Sequence, residues 1–183
     1  MHGTTLRTDR LELVGCSAEL LRAEGDDRAR FAELLRARVP PAWPPELYDD
    51  DARRFALRMV TEAPDDEGWW FYYVVRVPEE GGAGREVVGT MGYKGRPSDD
   101  GTVEVGYSVI ADHRRRGYAT EALAALLERA FAFPQVARVI AETYPELEPS
   151  IGVLEKSGFA FVGEGSEERV IRFELPRDRW EAR

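Results

Sequence analysis

The stretch from Val103 to Leu123 constrains this chain more than any other. Val103, Val105, Tyr107 and Val109 alternate with Glu104, Gly106 and Ser108, the period-two pattern of a strand. A short basic loop follows, Asp112-His113-Arg114-Arg115-Arg116-Gly117. Beyond it Ala119, Ala122, Leu123, Leu126, Leu127 and Ala130 recur at helical spacing, and Pro134 closes a helix spanning Gly117 to Phe133. A strand that runs through a glycine loop into a helix presents first-turn amides with no intrahelical acceptor, at the positive end of the helix dipole. Such an end suits a phosphate or pyrophosphate. Gly117 lets the backbone approach an anion, Ala119 keeps the turn narrow, Thr120 adds a hydroxyl, and Arg114, Arg115 and Arg116 add charge. On residue chemistry alone, any phosphorylated ligand fits, and so does a plain solvated turn. No Gly-x-x-x-x-Gly-Lys-Ser/Thr loop is present, and no Gly-x-Gly-x-x-Gly follows an early strand.

The rest of the chain reads as strands and helices around one sheet. Leu6 to Val14 has strand character, and Ser17 caps a helix start at Ala18-Glu19-Leu20-Leu21. A helical pattern runs from Ala29 to Val39 and stops at Pro40-Pro41. Pro40 to Pro45 then reads as an extended loop with Trp43 at its tip, and Leu47 to Thr61 as a helix. Trp69 to Val77, Glu86 to Tyr93 and Thr102 to Ile110 form a meander, with Glu79 to Gly84 as a hairpin loop. After the long helix come a strand at Ala137 to Thr143, a short helix at Ser150 to Ser157 closed by Gly158, and strands at Phe159 to Gly163 and Arg169 to Leu175. This order gives an α+β or α/β chain on one mixed sheet. No repeat or linker divides it, so residues 1–183 read as a single domain.

Composition narrows the function classes. A formal net charge of -9 and a pI of about 4.9 argue against nonspecific nucleic-acid binding. One cysteine, Cys16, and two histidines, His2 and His113, are too few for a disulfide or a thiolate or histidine metal centre. No apolar run approaches the ~18 residues that would span a bilayer, and Met1 to Asp9 has no signal core, so the expectation is a cytoplasmic protein with no membrane partner.

With these residues in view, Arg114-x-x-Gly117-x-Ala119 resembles the acetyl-CoA pyrophosphate loop of the GNAT N-acetyltransferases. Ser150 followed by Val153-Leu154-Glu155-Lys156-Ser157-Gly158-Phe159 looks like the same family's Leu-Glu-Lys-x-Gly-Phe run. Leu6-Arg7-Thr8-Asp9-Arg10-Leu11-Glu12-Leu13 is similar to the first strand of the RimJ/RimL-like branch. The resemblance covers nearly the whole chain. It implies a GNAT fold, α+β in three layers: a mixed, mostly antiparallel sheet of about seven strands, the fourth and fifth splayed, with about four helices.

The resemblance also implies roles. The splayed pair is Thr102–Ile110 and Ala137–Thr143, with the pantetheine arm of acetyl-CoA along the backbone of Tyr107, Ser108 and Val109. Amides of Arg115, Arg116, Gly117, Tyr118 and Ala119, with Arg114 and Thr120, would cradle the pyrophosphate, and Ser150 would also lie on the cofactor. An amide near Val109 would polarise the thioester carbonyl. Glu104 matches the family's Glu-x-Gly-Tyr segment and would be the general base for a primary amine, which is mostly protonated at neutral pH. Trp43, Trp69, Trp70, Tyr93 and Lys94 come from segments that flank the acceptor, with core packing expected of Trp69 and Trp70 and a solvated turn of Lys94 to Pro97. Two positions depart from the pattern. Leu154 stands where many relatives carry an acidic tyrosine, which leaves Tyr107, Tyr144 and Ser150 as substitutes, and Leu147 replaces a cofactor-contacting asparagine. The acceptor is open between a small amine and a protein N-terminus. A homodimer is the expectation by analogy. The competing reading is a CoA-binding sensor with the same fold and little catalysis.

Overall fold

The computed structural model describes residues 4–66, 68–78 and 84–183. Eight strands form one sheet in the order β1-β2-β3-β4-β5-β6-β8-β7. They are β1 (Thr5–Arg7), β2 (Leu11–Gly15), β3 (Phe71–Arg76), β4 (Glu86–Tyr93), β5 (Thr102–Val109), β6 (Arg138–Thr143), β7 (Ala160–Glu164) and β8 (Ile171–Pro176). Every pairing is antiparallel except that of β5 with β6. The helices are α1 (Ala18–Asp26), α2 (Arg28–Leu35), α3 (Asp50–Glu62), α4 (Tyr118–Phe131), α5 (Glu148–Lys156) and α6 (Arg177–Glu181).

The two sheet faces carry different cores. In β3, Tyr72 and Val74 pack with α4, α5 and the inward residues of β5 and β6, while Tyr73 and Val75 pack with α1, α2 and α3. Alternation along each strand therefore builds three layers. Helix α4 buries Ala122, Leu123, Leu126, Leu127 and Ala130, the stripe its spacing predicts.

Several boundaries differ from the sequence expectation, each for a tertiary reason. The strand expected over Leu6–Val14 is broken into β1 and β2 by a turn in which the Thr8 amide donates to the Leu11 carbonyl at 2.9 Å. The break makes the strand count eight. The helix expected to reach Val39 ends at Leu35, where Arg36 turns to φ 50°. The chain beyond it is drawn to the sheet, with the Arg38 amide donating to Arg85 (2.9 Å) and the Val87 amide to Arg38 (3.0 Å). The helix expected from Leu47 starts at Asp50, because the Asp49 carboxylate accepts from the Ala52 amide and caps it. The α6 turn had no counterpart in the sequence pattern. Of the expected hairpin loop Glu79–Gly84, residues 79–83 lie outside the described residues, but β3 and β4 on either side pair antiparallel as expected.

The separation of β5 from β6 positions the site. Their parallel register runs from Thr102 opposite Arg138 to Val105 opposite Ala141 and stops. Beyond it β6 remains paired with β8 through Thr143, and β5 remains paired with β4 through Val109. The β6-facing edge of residues 106–109 is left without a strand partner among the described residues.

Candidate active site

The unpaired edge leads directly into the basic loop. Gly117 takes φ 81° and ψ 0° and forms the N-terminal cap of α4 with no side-chain bond. The amides of residues 115–120 make no hydrogen bond of ordinary geometry among the described residues, while the next amide, of Glu121, closes the first helical bond to Gly117 at 3.0 Å. The exposed side chains of Arg115 and Arg116 have no ion-pair partner among the described residues. A Cβ on Gly117 would lie 3.3 Å from the Arg10 guanidinium, which packs over the Tyr118 ring. Free amides, free cations and a left-handed glycine suit an anion such as the pyrophosphate of CoA.

A clamp absent from the sequence reading holds this loop. The Glu121 carboxylate accepts from Thr8 Oγ1 (2.6 Å), the Arg10 amide (2.9 Å) and Arg10 Nε (2.7 Å), and Arg10 Nη1 donates to the Arg116 carbonyl at 3.2 Å. Burial, the largest influence on Glu121, pushes its carboxyl upward, but the bonds from Thr8 and Arg10 outweigh it and leave it below the usual range. The partners lie more than 100 residues apart, so no local pattern could reveal them.

Arg114 and Ser108 behave differently from their neighbours. Arg114 Nε donates to the Val109 carbonyl (2.9 Å), and its Nη2 pairs with Glu46 (2.6 Å). The Ser108 hydroxyl donates to the Glu46 carbonyl. Both hold the α2–α3 loop over the end of β5. Their side chains engage protein partners, whereas Arg115, Arg116 and the amide row face outward.

That loop, α3 and the sheet enclose a cleft of about 450 Å³. Tyr48, Phe55, Trp70, Phe71 and Met91 wall it, and Gly106, Tyr107 and Ser108 of β5 line its floor. Leu47, 75% exposed, and Phe55, 48% exposed, stand at its rim with Asp51 and Lys94. A Cβ on Gly106 would meet nothing within 4 Å, so the floor is open there. Glu104 shares one face of β5 with Gly106 and Ser108, and its carboxylate is ion-paired with the Lys94 ammonium.

Tyr107 reaches across the mouth of the β5–β6 gap. Its hydroxyl donates to the Ser150 carbonyl at 3.0 Å and lies 3.1 Å from Ser150 Oγ. Burial pushes the phenol up to about 12, against the opposing bond to Ser150, so it stays protonated at neutral pH. Leu154 is 1% exposed and packs in the α4-side core. Tyr144 is exposed on the surface.

Of the two residues expected at the acceptor side, Trp43 lies in the core beneath α1, α2 and α3, whereas Tyr93 is buried but lines the cleft. Trp43 is not at a loop tip: it is 7% exposed, packs against Phe31, Tyr48 and Tyr73, and donates Nε1 to Glu24 at 2.9 Å. Tyr93 is 3% exposed in the α4-side core, and its hydroxyl donates to the Leu126 carbonyl at 2.6 Å. An aromatic in a flanking segment can point to either face, and sequence alone could not choose the face. Trp70 and Phe55 add aromatic cleft walls, in an edge-to-face pair. Cys16 is buried, and desolvation pushes its thiol up to about 12, which removes it as a nucleophile. No group of metal-binding side chains occurs among the described residues.

A mixed sheet whose single parallel pair parts halfway, next to an amide-rich helix start, defines the acyl-CoA-dependent N-acyltransferase fold. The chain belongs to the GNAT acetyltransferase family: the Acetyltransferase (GNAT) domain matches residues 19–160. It is 34% identical over 154 residues to the uncharacterized N-acetyltransferase YjdG of Bacillus subtilis (strain 168), covering 84% of this chain and 88% of that protein. The fold is shared with the ribosomal-protein-S5-alanine acetyltransferase of Vibrio fischeri, at TM-score 0.63 and 17% identity over 97% of this chain and 98% of that one. It is shared too with the microcin C7 self-immunity acetyltransferase MccE, solved with acetyl-CoA and AMP, at TM-score 0.60 and 12% identity over 92% and 93% of the two chains.

Proposed function

We propose that this protein transfers the acetyl group of acetyl-CoA to a primary amine, with Glu104 as the general base. One observation carries the reading. At one end of β5 an unpaired strand edge, a row of acceptor-free amides and a cleft open above Gly106 come together. The edge of residues 106–109 would take the pantetheine arm as an added strand, and residues 115–120 would hold the pyrophosphate, with Arg115 and Arg116 as its cations. When bound, the thioester supplies an activated acyl carbon.

On the protein side, Glu104, ion-paired with the cleft-lining Lys94, accepts the proton of the incoming ammonium. Leu154 offers no proton. The linked hydroxyls of Tyr107 and Ser150 stand at the gap and serve as the donor for the departing sulfur. That sulfur needs modest help, since a thiol titrates near about 8.5. The apolar cleft walls support an acceptor amine that carries an apolar substituent, either on a small molecule or at a protein N-terminus. The structural likeness to a ribosomal-protein acetyltransferase supports the RimJ/RimL-like branch.

The test is an amine panel with Glu104→Gln as control. Turnover should fall by about 10²–10⁴-fold while CoA affinity stays within about twofold. An unchanged rate in Glu104→Gln would remove Glu104 from the mechanism. CoA binding with no turnover on any amine would favour the sensor reading.

A further inference from the structure

Glu104 already holds an amine. Its cationic partner among the described residues is Lys94, whose ammonium contacts the carboxylate. The two residues face each other where β4 and β5 end their register. Tyr93 pairs with Val105, and one step further the Lys94 amide donates to the Glu104 carbonyl at 3.0 Å. Their backbones are thus locked while the Lys94 side chain, 62% exposed, stays free to move. Lys94 also lines the cleft together with Gly106, Tyr107 and Ser108, beside the open floor above Gly106. The pair is open to solvent on its lysine side, while the Glu104 side chain is 24% exposed beneath it.

We propose that Lys94 is itself an acyl acceptor, modified on its ε-amine by acetyl-CoA bound in the same site. This rests on the acetyltransferase reading above. The contact between ammonium and carboxylate is the one proton removal requires. The Nζ proton passes to Glu104, and the freed lone pair forms a bond to the acetyl carbon. The carbon–sulfur bond breaks, and its electron pair leaves on the CoA sulfur, which takes a proton to become the free thiol. The product is Nε-acetyl-Lys94, and Glu104 returns its proton to solvent. Any external amine must displace the Lys94 ammonium to reach Glu104, so the two acceptors compete for one base.

The composition makes the proposal easy to test. The chain has two lysines, Lys94 and Lys156. Lys156 is exposed near the end of α5, away from the cleft, and reports uncatalysed acylation of an ordinary lysine. The full-length protein is incubated with acetyl-CoA and no added amine, then followed by intact mass and peptide mapping. Thermal unfolding of the same sample reports cofactor binding. Lys94 should be acetylated about 100-fold or more faster than Lys156. Glu104→Gln should bring it down to the Lys156 rate, and Lys94→Arg should abolish the fast increment in intact mass. Stabilisation by acetyl-CoA with equal rates at the two lysines would overturn this proposal and leave the acetyltransferase reading standing. A Lys94 rate unaffected by Glu104→Gln would also overturn it. Absence of any stabilisation by acetyl-CoA would overturn both.

Discussion

Glu121 is the position where stability and cofactor binding are most tightly joined. Substituting Glu121→Gln keeps the shape and removes the charge. Two charge-assisted bonds from Arg10, at 2.7 Å and 2.6 Å, then face an amide instead of a carboxylate. Bonds to a charged group contribute about 1.5–3 kcal/mol each, and Arg10 is exposed enough to recover part of the loss from water, so we expect a destabilisation of about 2–4 kcal/mol. For a chain of this size that lowers Tm by about 4–16 °C. The sign with pH follows from the carboxyl lying below its usual value of 4.5. A depressed folded value means the contribution is present above the unfolded value and is lost as pH falls through the folded one. Urea unfolding of both proteins from about pH 7 to about pH 3 should show the gap closing below about pH 4.5. Because Arg10 also supports the Arg116 carbonyl, the variant should bind acetyl-CoA more weakly. A gap below about 0.5 kcal/mol at neutral pH, or one that widens in acid, would refute the clamp.

Gly117→Ala forces a Cβ into a left-handed backbone at φ 81°, at a cost of about 1–2 kcal/mol, and should weaken CoA binding measured by calorimetry. Unchanged stability would show that the cap does not need glycine. Glu24 accepts from Trp43, Tyr48 and Tyr73, and its burial, the dominant influence, outweighs those bonds and pushes its carboxyl upward. A raised folded value favours the native state most below the unfolded value and is lost as pH rises through the folded one. Relative to Glu24→Gln, the wild type should therefore lose stability as pH rises above about 4.5, read from Tm across that range.

The sequence was most legible where local pattern and chemistry coincide. The alternation of Val103 to Val109, the glycine at residue 117 and the helical stripe of α4 all depend on neighbours within a few residues. Fold and family followed from them. Positions fixed by distant partners were not legible. The Thr8–Arg10 turn exists because Glu121 collects its donors, and α2 stops early because Arg38 joins the edge of β4. Trp43 and Tyr93 lie in the expected segments, but their rings turn into the cores on opposite sides of the sheet. Lys94 falls in an acceptor-flanking segment by sequence, but its contact with Glu104 depends on the register of β4 with β5.

The central claim is that the β5 edge and the start of α4 bind acetyl-CoA. Thermal unfolding with acetyl-CoA, CoA, ATP or NAD tests it most directly. At 100 times its dissociation constant a ligand stabilises the native state by about 2.7 kcal/mol, a rise of about 5–10 °C for a chain of this length. A rise with acetyl-CoA and CoA but not with NAD is the predicted result. No shift with either CoA form at millimolar concentration would contradict it.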